Sequence, residues 1–231
     1  LEVSATPHLT SEMTARPVKV SLKEVIEEEM IKNEILVNPE FLKIKVGERS
    51  GDEIVIEEAL KKRNFLKKGF KTEGSDVNPL VLIHLPDKKA QRESKLEEVV
   101  KILKDEHDIT VKNGKLAVWL SEEKSNTLPN IEKRDNEVEV LIFKQAISIG
   151  WDCPRASILV MFRETKSHTF TVQTIGRIMR MPEPDIGYYE TPELNKGYIF
   201  TNLAGIELAR DWVDDYVSIY TSYRDDNLYK E

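Results

Sequence analysis

The segment VEVLIFKQAISIGWDCPRASILVMF, residues 138–162, holds two strongly apolar runs that are separated by a polar, glycine-containing connection. Apolar runs of this kind are typical of strands that are covered on both faces of a parallel sheet. The connection contributes Gly150, Trp151 and Asp152, and QTIGRIMRMP follows at residues 173–182. Core packing does not require so many polar side chains in so short a span. We therefore expect a functional site in this part of the chain.

The same pattern of apolar runs continues from residue 79 onward. Runs at 79–85, 116–121 and 197–201 predict further strands, and helical spacing of apolar residues predicts helices at 53–70, 86–105 and 205–223. Alternation of strands and helices favours an α/β fold, with a mostly parallel sheet flanked by helices. The region 21–75 reads as an elaboration of that fold, and three roles stay open for it: a lid over the sheet, a subunit contact or a DNA-facing surface.

The composition of the chain sets limits on its class. Its 231 residues are 40% hydrophobic and 32% charged, with a formal net charge of −7, which is typical of a water-soluble globular protein rather than a broadly basic nucleic-acid protein. No apolar run is long enough for a membrane span. The single cysteine, Cys153, excludes an internal disulfide and predicts a cytoplasmic location. No His or second Cys stands at metal-ligand spacing, so we predict no protein-bound metal.

The QTIGRIMR segment places three polar side chains on one side of a predicted helix. At about 100° per residue, Gln173, Arg177 and Arg180 lie within about 60° of one another. Gly176 removes a side chain beside Arg177 and so lets a ligand or another backbone come close. Two forked, permanently charged donors suit a polyphosphate. Taken alone, however, an R-x-x-R pair is more often a solvated helix surface.

The connection before this helix favours the functional interpretation. We expect Gly150 to lie at the carboxyl end of strand 138–143, the edge at which open α/β sheets bind ligands. Asp152 would lie near the same crevice, where it could accept a bond from a sugar hydroxyl or orient an arginine. The alternative for this stretch is an ordinary turn with an aspartate cap.

Four segments in order, SAT (4–6), PLVLIHLPD (79–87), KQAISIGWD (144–152) and QTIGRIMR (173–180), resemble motifs III, IV, V and VI of superfamily 2 helicases. The restriction subunit of type III restriction–modification enzymes is resembled over three longer stretches: NPLVLIHLP (78–86), AVWLSEEKSN (117–126) and VLIFKQAISIGWDCPRASILVMFRE (140–164). The resemblance implies a second RecA-like, P-loop NTPase-like motor domain over residues 17–205. Residues 1–16 would end the first motor domain and its linker, and residues 206–231 would form a helical extension.

The resemblance also implies roles for individual residues. ATP with Mg²⁺ would lie between this domain and a first RecA-like domain of the same polypeptide, and Arg177, Arg180 and Gln173 would act on its phosphates. Further roles would be nucleotide contact by Gly150, Asp152 and Gly176, coupling of hydrolysis to movement by Ser4 and Thr6, and nucleic-acid contact by Lys144 and Gln145. The implied partners are double-stranded DNA and a DNA-methyltransferase subunit.

The chain contains no G-x-x-x-x-G-K-[ST] phosphate loop and no D-E-x-H or D-E-C-H tetrad, which belong to the first motor domain. We therefore expect this fragment alone neither to hydrolyse ATP nor to cut DNA. Two alternatives stay open: a non-catalytic DNA- or subunit-binding module of the same fold, and the motor of a type I restriction or DNA-repair helicase. A stand-alone α/β nucleotide- or cofactor-binding protein would need a glycine-rich turn after its first strand, which the sequence lacks.

Overall fold

A single parallel sheet organises the molecule. The computed structural model describes residues 20–39, 49–86, 88–120, 130–144, 151–162, 174–202 and 218–221. Seven strands pair in the order β3-β4-β2-β5-β6-β1-β7, and every pairing is parallel. The strands are β1 (Glu34–Val37), β2 (Leu80–His84), β3 (Leu116–Trp119), β4 (Val140–Phe143), β5 (Ala156–Met161), β6 (Lys196–Phe200) and β7 (Ser218–Thr221).

Three helices with defined bounds accompany the sheet: α1 (Leu22–Glu27), α2 (Gly51–Thr72) and α3 (Lys89–His107). The first two begin with reciprocal capping boxes, Ser21 with Glu24 and Ser50 with Glu53, which satisfy amide groups that the first helical turn leaves without partners. Two short 3-10 turns, Pro184–Ile186 and Pro192–Asn195, precede β6. The predicted α/β fold with a parallel sheet flanked by helices is therefore confirmed.

The core has one apolar layer on each face of the sheet. On one face, α2 and α3 pack against alternate residues of the central strands, such as Val81, Ile83 and Val160. On the other face, residues that include Trp119, Trp151 and Ile178 pack on Leu82 and Leu159. Every residue of β2, β4 and β5 is buried, as expected for parallel strands covered on both sides.

The region 21–75 contributes directly to this core. It supplies β1, which lies between β6 and β7, and α2, which packs against β2, β5 and β6. Our sequence interpretation offered one short strand in this region, FLKIKV at 41–46, which lies outside the described residues, and it did not predict β1. The omission matters for the site, because β1 brings residues 30–32 beside the end of the QTIGRIMR segment.

One predicted element is wrong where the structure describes it. Residues 218–221, expected within a C-terminal helix and helical extension, form strand β7 at the edge of the sheet instead. The rest of the extension, 206–217 and 222–231, lies outside the described residues, as do residues 1–16 with the SAT segment.

A fully buried arginine organises the amino-terminal edge of the sheet. The Nε atom of Arg155 donates to the carbonyl of Ile131 at 2.8 Å, and its Nη1 atom donates to those of Asn78 at 2.7 Å and Val138 at 2.9 Å. Asn78 and Val138 come just before β2 and β4. Burial lowers the pKa of Arg155 to about 10, so the guanidinium remains charged at neutral pH.

We expect Arg155→Met to lower the free energy of unfolding by about 3 kcal/mol or more, because three buried carbonyls lose a charged donor. Urea denaturation followed by circular dichroism measures the change. Arg134→Ala is the matched control, because Arg134 is 55% exposed and pairs with Asp76 and Glu183 at the surface. Its cost should stay below about 1 kcal/mol. Equal costs would contradict the organising role of Arg155.

Candidate functional site

The helical part of the segment that carries the two candidate arginines ends earlier than the sequence indicates. The described helical residues are 174–178, followed by a turn at Met179. Arg180 lies beyond the helix and forms an antiparallel bridge with Ile31. The prediction of Arg177 and Arg180 on a single helical face is therefore wrong, because backbone contacts with residues 30–32 end the helix before Arg180.

The two arginines nevertheless meet at one place, together with Asp152. The Arg180 guanidinium forms an ion pair with the Asp152 carboxylate. The Arg177 guanidinium donates to the backbone carbonyl of Trp151 and lies 5.5 Å from the centroid of the Trp151 ring. We call Asp152, Arg177 and Arg180, with the Trp151 backbone and ring, the arginine cluster. Asp152 orients an arginine, which is one of the two roles that the sequence left open for it.

The two arginines differ in their exposure. Arg180 is 42% exposed and Asp152 is 58% exposed, so their ion pair faces solvent. Arg177 is partly buried, and burial, followed by the neighbouring positive charge of Arg180, lowers its pKa. A guanidinium stays protonated under such a shift. The cluster therefore presents two positive charges and one negative charge. Arg177 is held against Trp151, and Arg180 is accessible from solution.

The cluster lies toward the amino-terminal ends of the strands, not at the carboxyl edge that the sequence argument favoured. Arg180 pairs with Ile31, which precedes β1, and Asp152 is three residues before Arg155, whose guanidinium binds carbonyls that precede β2 and β4. The sequence argument placed Asp152 by its distance from the end of β4. In the structure Asp152 lies close to the start of β5 instead.

The residue before Arg177 in the chain, Gly176, is open to solvent. A Cβ atom added there would meet no described atom within 4 Å, and the residue is exposed. This agrees with the expectation that the glycine leaves room beside Arg177. Gly197, by contrast, is packed against Met179, where an added Cβ would lie 3.2 Å from its sulfur atom.

The remaining predicted site residues are not part of this cluster as far as the structure describes them. Lys144 directly follows β4 at the carboxyl edge, and its carbonyl lies 3.1 Å from Nε2 of His84. It is therefore at the other end of the strands from the Ile31–Arg180 bridge. The following predicted residues lie outside the described residues: Gln173, Gly150, Gln145, Ser4 and Thr6.

Two residues of this region were missing from the predicted site. Trp151 is buried, and its ring packs edge-to-face on Trp119 with centroids 6.1 Å apart, so it forms a rigid wall for Arg177. Lys32 is fully buried and contacts the end of the helical segment. Adjacency to Asp152 was a signal for Trp151, whereas no motif or periodicity marked Lys32.

Neither a metal centre nor a membrane span is found in the described part of the chain. There, no group of three or more His, Cys, Asp or Glu side chains is placed to hold a metal ion. No helix among the same residues is long and apolar enough to cross a membrane.

No family model and no curated protein matches this chain. Among solved structures, it is similar to the C-terminal part of the Fun30 ATPase domain, with 19% identity, 61% of this chain and 40% of that chain covered, and a TM-score of 0.35. A second is a fragment described as an HsdR subunit of a type I restriction enzyme from Vibrio vulnificus YJ016, with 14% identity, 86% and 38% covered, and a TM-score of 0.46.

A third similar structure is the ATP-dependent type ISP restriction-modification enzyme LlaBIII bound to DNA, with 16% identity, 77% of this chain and 12% of that chain covered, and a TM-score of 0.44. The chain thus spans less than half of each of these three chains.

Cys153 offers a chemical test of the conformation next to Asp152. Burial raises the pKa of this thiol to about 11, and its Sγ atom lies 3.6 Å from the carbonyl of Ile131. We expect iodoacetamide at pH 8 to alkylate the native chain at least about 100-fold more slowly than the urea-unfolded chain, because the thiolate is the reactive form. Mass spectrometry reports one adduct, since Cys153 is the only cysteine. Rapid labelling of the native chain would contradict the burial of the 151–155 segment.

Proposed function

We propose that this chain is the second RecA-like motor domain of an ATP-dependent DNA helicase or translocase that belongs to a restriction enzyme. The observation that carries the proposal is that Arg177 and Arg180 contact two adjacent residues: Arg177 binds Trp151, and Arg180 pairs with Asp152. The motif resemblance also supports the proposal, because the contacting residues come from the segments that resemble motif V (Trp151 and Asp152) and motif VI (Arg177 and Arg180).

The geometry of the arginine cluster suits a triphosphate. Phosphoryl transfer is catalysed mainly by positioning and by stabilisation of the charge that spreads over the phosphate oxygens. Arg180 can exchange its exposed carboxylate partner for phosphate oxygens, while Arg177 stays fixed between the Trp151 carbonyl and ring. Asp152, once released from Arg180, can accept a hydrogen bond from a ribose hydroxyl. These residues supply no metal ligand set, so we assign Mg²⁺ to the phosphates and to the first motor domain.

The proposal includes partners that this chain does not contain. A first RecA-like domain of the same polypeptide supplies the phosphate loop and the acidic ATPase motif, and double-stranded DNA is the track. We assign Lys144 and Gln145 to the DNA contact and Ser4 and Thr6 to its coupling with hydrolysis. The resemblance favours a type III restriction subunit that assembles with a modification methyltransferase, with a type I restriction motor as the alternative.

The test is DNA-stimulated ATP hydrolysis by the full-length polypeptide that contains this domain. We expect Arg177→Ala and Arg180→Ala each to lower kcat by at least about 100-fold, because each removes a charge that stabilises the transition state. Binding of a fluorescent ATP analogue should change far less. Arg134→Ala is the control, since it also breaks an exposed arginine–carboxylate pair but lies outside the arginine cluster.

Normal hydrolysis by both arginine variants would exclude the arginine-finger role. The domain would then be a binding module, and the same preparations would decide that point: retained DNA binding without ATP dependence is the result that such a module predicts.

Gly176 provides a prediction on the space beside Arg177. We expect Gly176→Leu to raise the KM for ATP by about tenfold, since the side chain would occupy the position where the phosphates approach. The fold should not suffer, because the site is open and a helical glycine-to-leucine change favours the helix by up to about 1 kcal/mol. Thermal unfolding of the variant checks this second point. An unchanged KM would place the nucleotide elsewhere.

A further inference from the structure

A fully buried lysine lies directly beneath the segment that carries Arg180. Lys32 precedes β1 by two residues and has 0% of its surface exposed. Within the described residues, no carboxylate lies within ion-pair distance of its ammonium group. A lysine in such a place is unfavourable as a charge, and burial lowers its pKa to about 7. The role of this lysine therefore lies in the hydrogen bonds that its ammonium group makes.

The contacts of Lys32 all go to the end of the helical segment and to the strand beside it. The Nζ atom donates to the carbonyl of Ile178 at 2.9 Å and to Oγ of Ser157 at 3.0 Å. The backbone amide of Lys32 donates to the carbonyl of Met179 at 2.6 Å. The carbonyls of the last helical turn have no partner within the helix, so Lys32 acts as their cap.

These contacts belong to a short antiparallel pairing that runs along both sides of Arg180. Ile31 forms the bridge to Arg180, and the amide of Met181 donates to the carbonyl of Met30 at 3.4 Å. The backbone of Arg180 is therefore held on both sides by residues 30–32. Its own side chain is free of that pairing and reaches Asp152 at the surface.

We infer that Lys32 is a positioning residue for Arg180, fixing the backbone from which this guanidinium reaches the nucleotide. The inference rests on the proposed function, because it names a residue that acts through the arginine cluster. Ser157, on β5, anchors the amine to the sheet, so the position of Arg180 is set by β1 and β5 together. A buried amine performs this task where an apolar side chain cannot, since it satisfies a helix-end carbonyl in the absence of water.

The experiment compares Lys32→Met, Arg180→Ala and the double variant in DNA-stimulated ATP hydrolysis by the full-length polypeptide. We expect Lys32→Met to lower kcat by about tenfold or more, with the KM for ATP changed by less than about twofold. In the Arg180→Ala background the same change should alter kcat by less than about twofold, because a residue that acts through Arg180 has nothing left to position.

A control variant separates positioning from a general loss of stability. Leu103→Ala removes a fully buried side chain of α3 on the opposite face of the sheet, and we expect it to lower the melting temperature while kcat stays within about twofold of wild type. If Leu103→Ala lowers kcat as much as Lys32→Met does, the inference is overturned.

The remaining outcomes of the experiment also test the inference. Wild-type kcat for Lys32→Met beside an impaired Arg180→Ala would overturn the inference and leave the proposed function standing. Equal losses from Lys32→Met in both backgrounds would reduce Lys32 to a structural residue. A normal Arg180→Ala enzyme would overturn the inference, because Arg180 would then have no role that needs positioning; only normal hydrolysis by Arg177→Ala as well would refute the proposed function. Should Lys32→Met fail to fold, Ser157→Ala replaces it: it removes one acceptor of the amine, a severalfold lower kcat is expected, and an unchanged kcat overturns the inference.

Discussion

The guanidinium of Arg155 is the interaction on which the amino-terminal edge of the sheet depends. It joins the carbonyls before β2 and β4 to that of Ile131, and it does so without exposure to water. Because a buried unpaired carbonyl is costly, these three segments are fixed relative to one another. The chain leaves Arg155 in one direction as β5 and in the other direction as Cys153 and Asp152. The place of Asp152 is therefore a consequence of how the sheet edge is built.

A second set of buried contacts fixes the other half of the site. Residues 30–32 run beside 179–181, so β1, which is far away in sequence, determines where Arg180 lies. This arrangement explains why the strand order matters for the chemistry. Since β1 lies next to β6, and β6 next to β5, the segment before β1 reaches the turn that follows the helical residues 174–178. An arrangement with β1 at another position in the sheet would leave the end of that helix uncapped.

The sheet was predictable because its central strands are short, continuous apolar runs, which are typical of parallel strands that are buried on both faces. Strand β1 was not, since EILV has only four residues and its three apolar residues are consecutive, so the sequence does not show the alternation that the strand has in burial. That Arg177, Arg180 and Asp152 lie near one another was predictable from the resemblance of their segments to helicase motifs V and VI. Their geometry was not: helical periodicity cannot tell where a helix ends, and here a tertiary contact with Lys32 ends it. Distance along the sequence likewise cannot tell at which edge of a sheet a connecting residue lies, so Asp152 was predicted at the wrong edge.

The difference in burial between the supports and the charged groups bears on how such a site could work. An exposed ion pair such as Arg180–Asp152 contributes at most about 1 kcal/mol to stability, so it cannot be what holds Arg180 in place. The buried groups beneath it do that. On the proposed function, an incoming phosphate takes the place of the exposed carboxylate at little cost, because that carboxylate is weakly bound. Because the backbone is held from below, this exchange need not move the arginine. A rigid base with an exchangeable surface partner is what a site must have if it is completed only when another domain delivers the nucleotide.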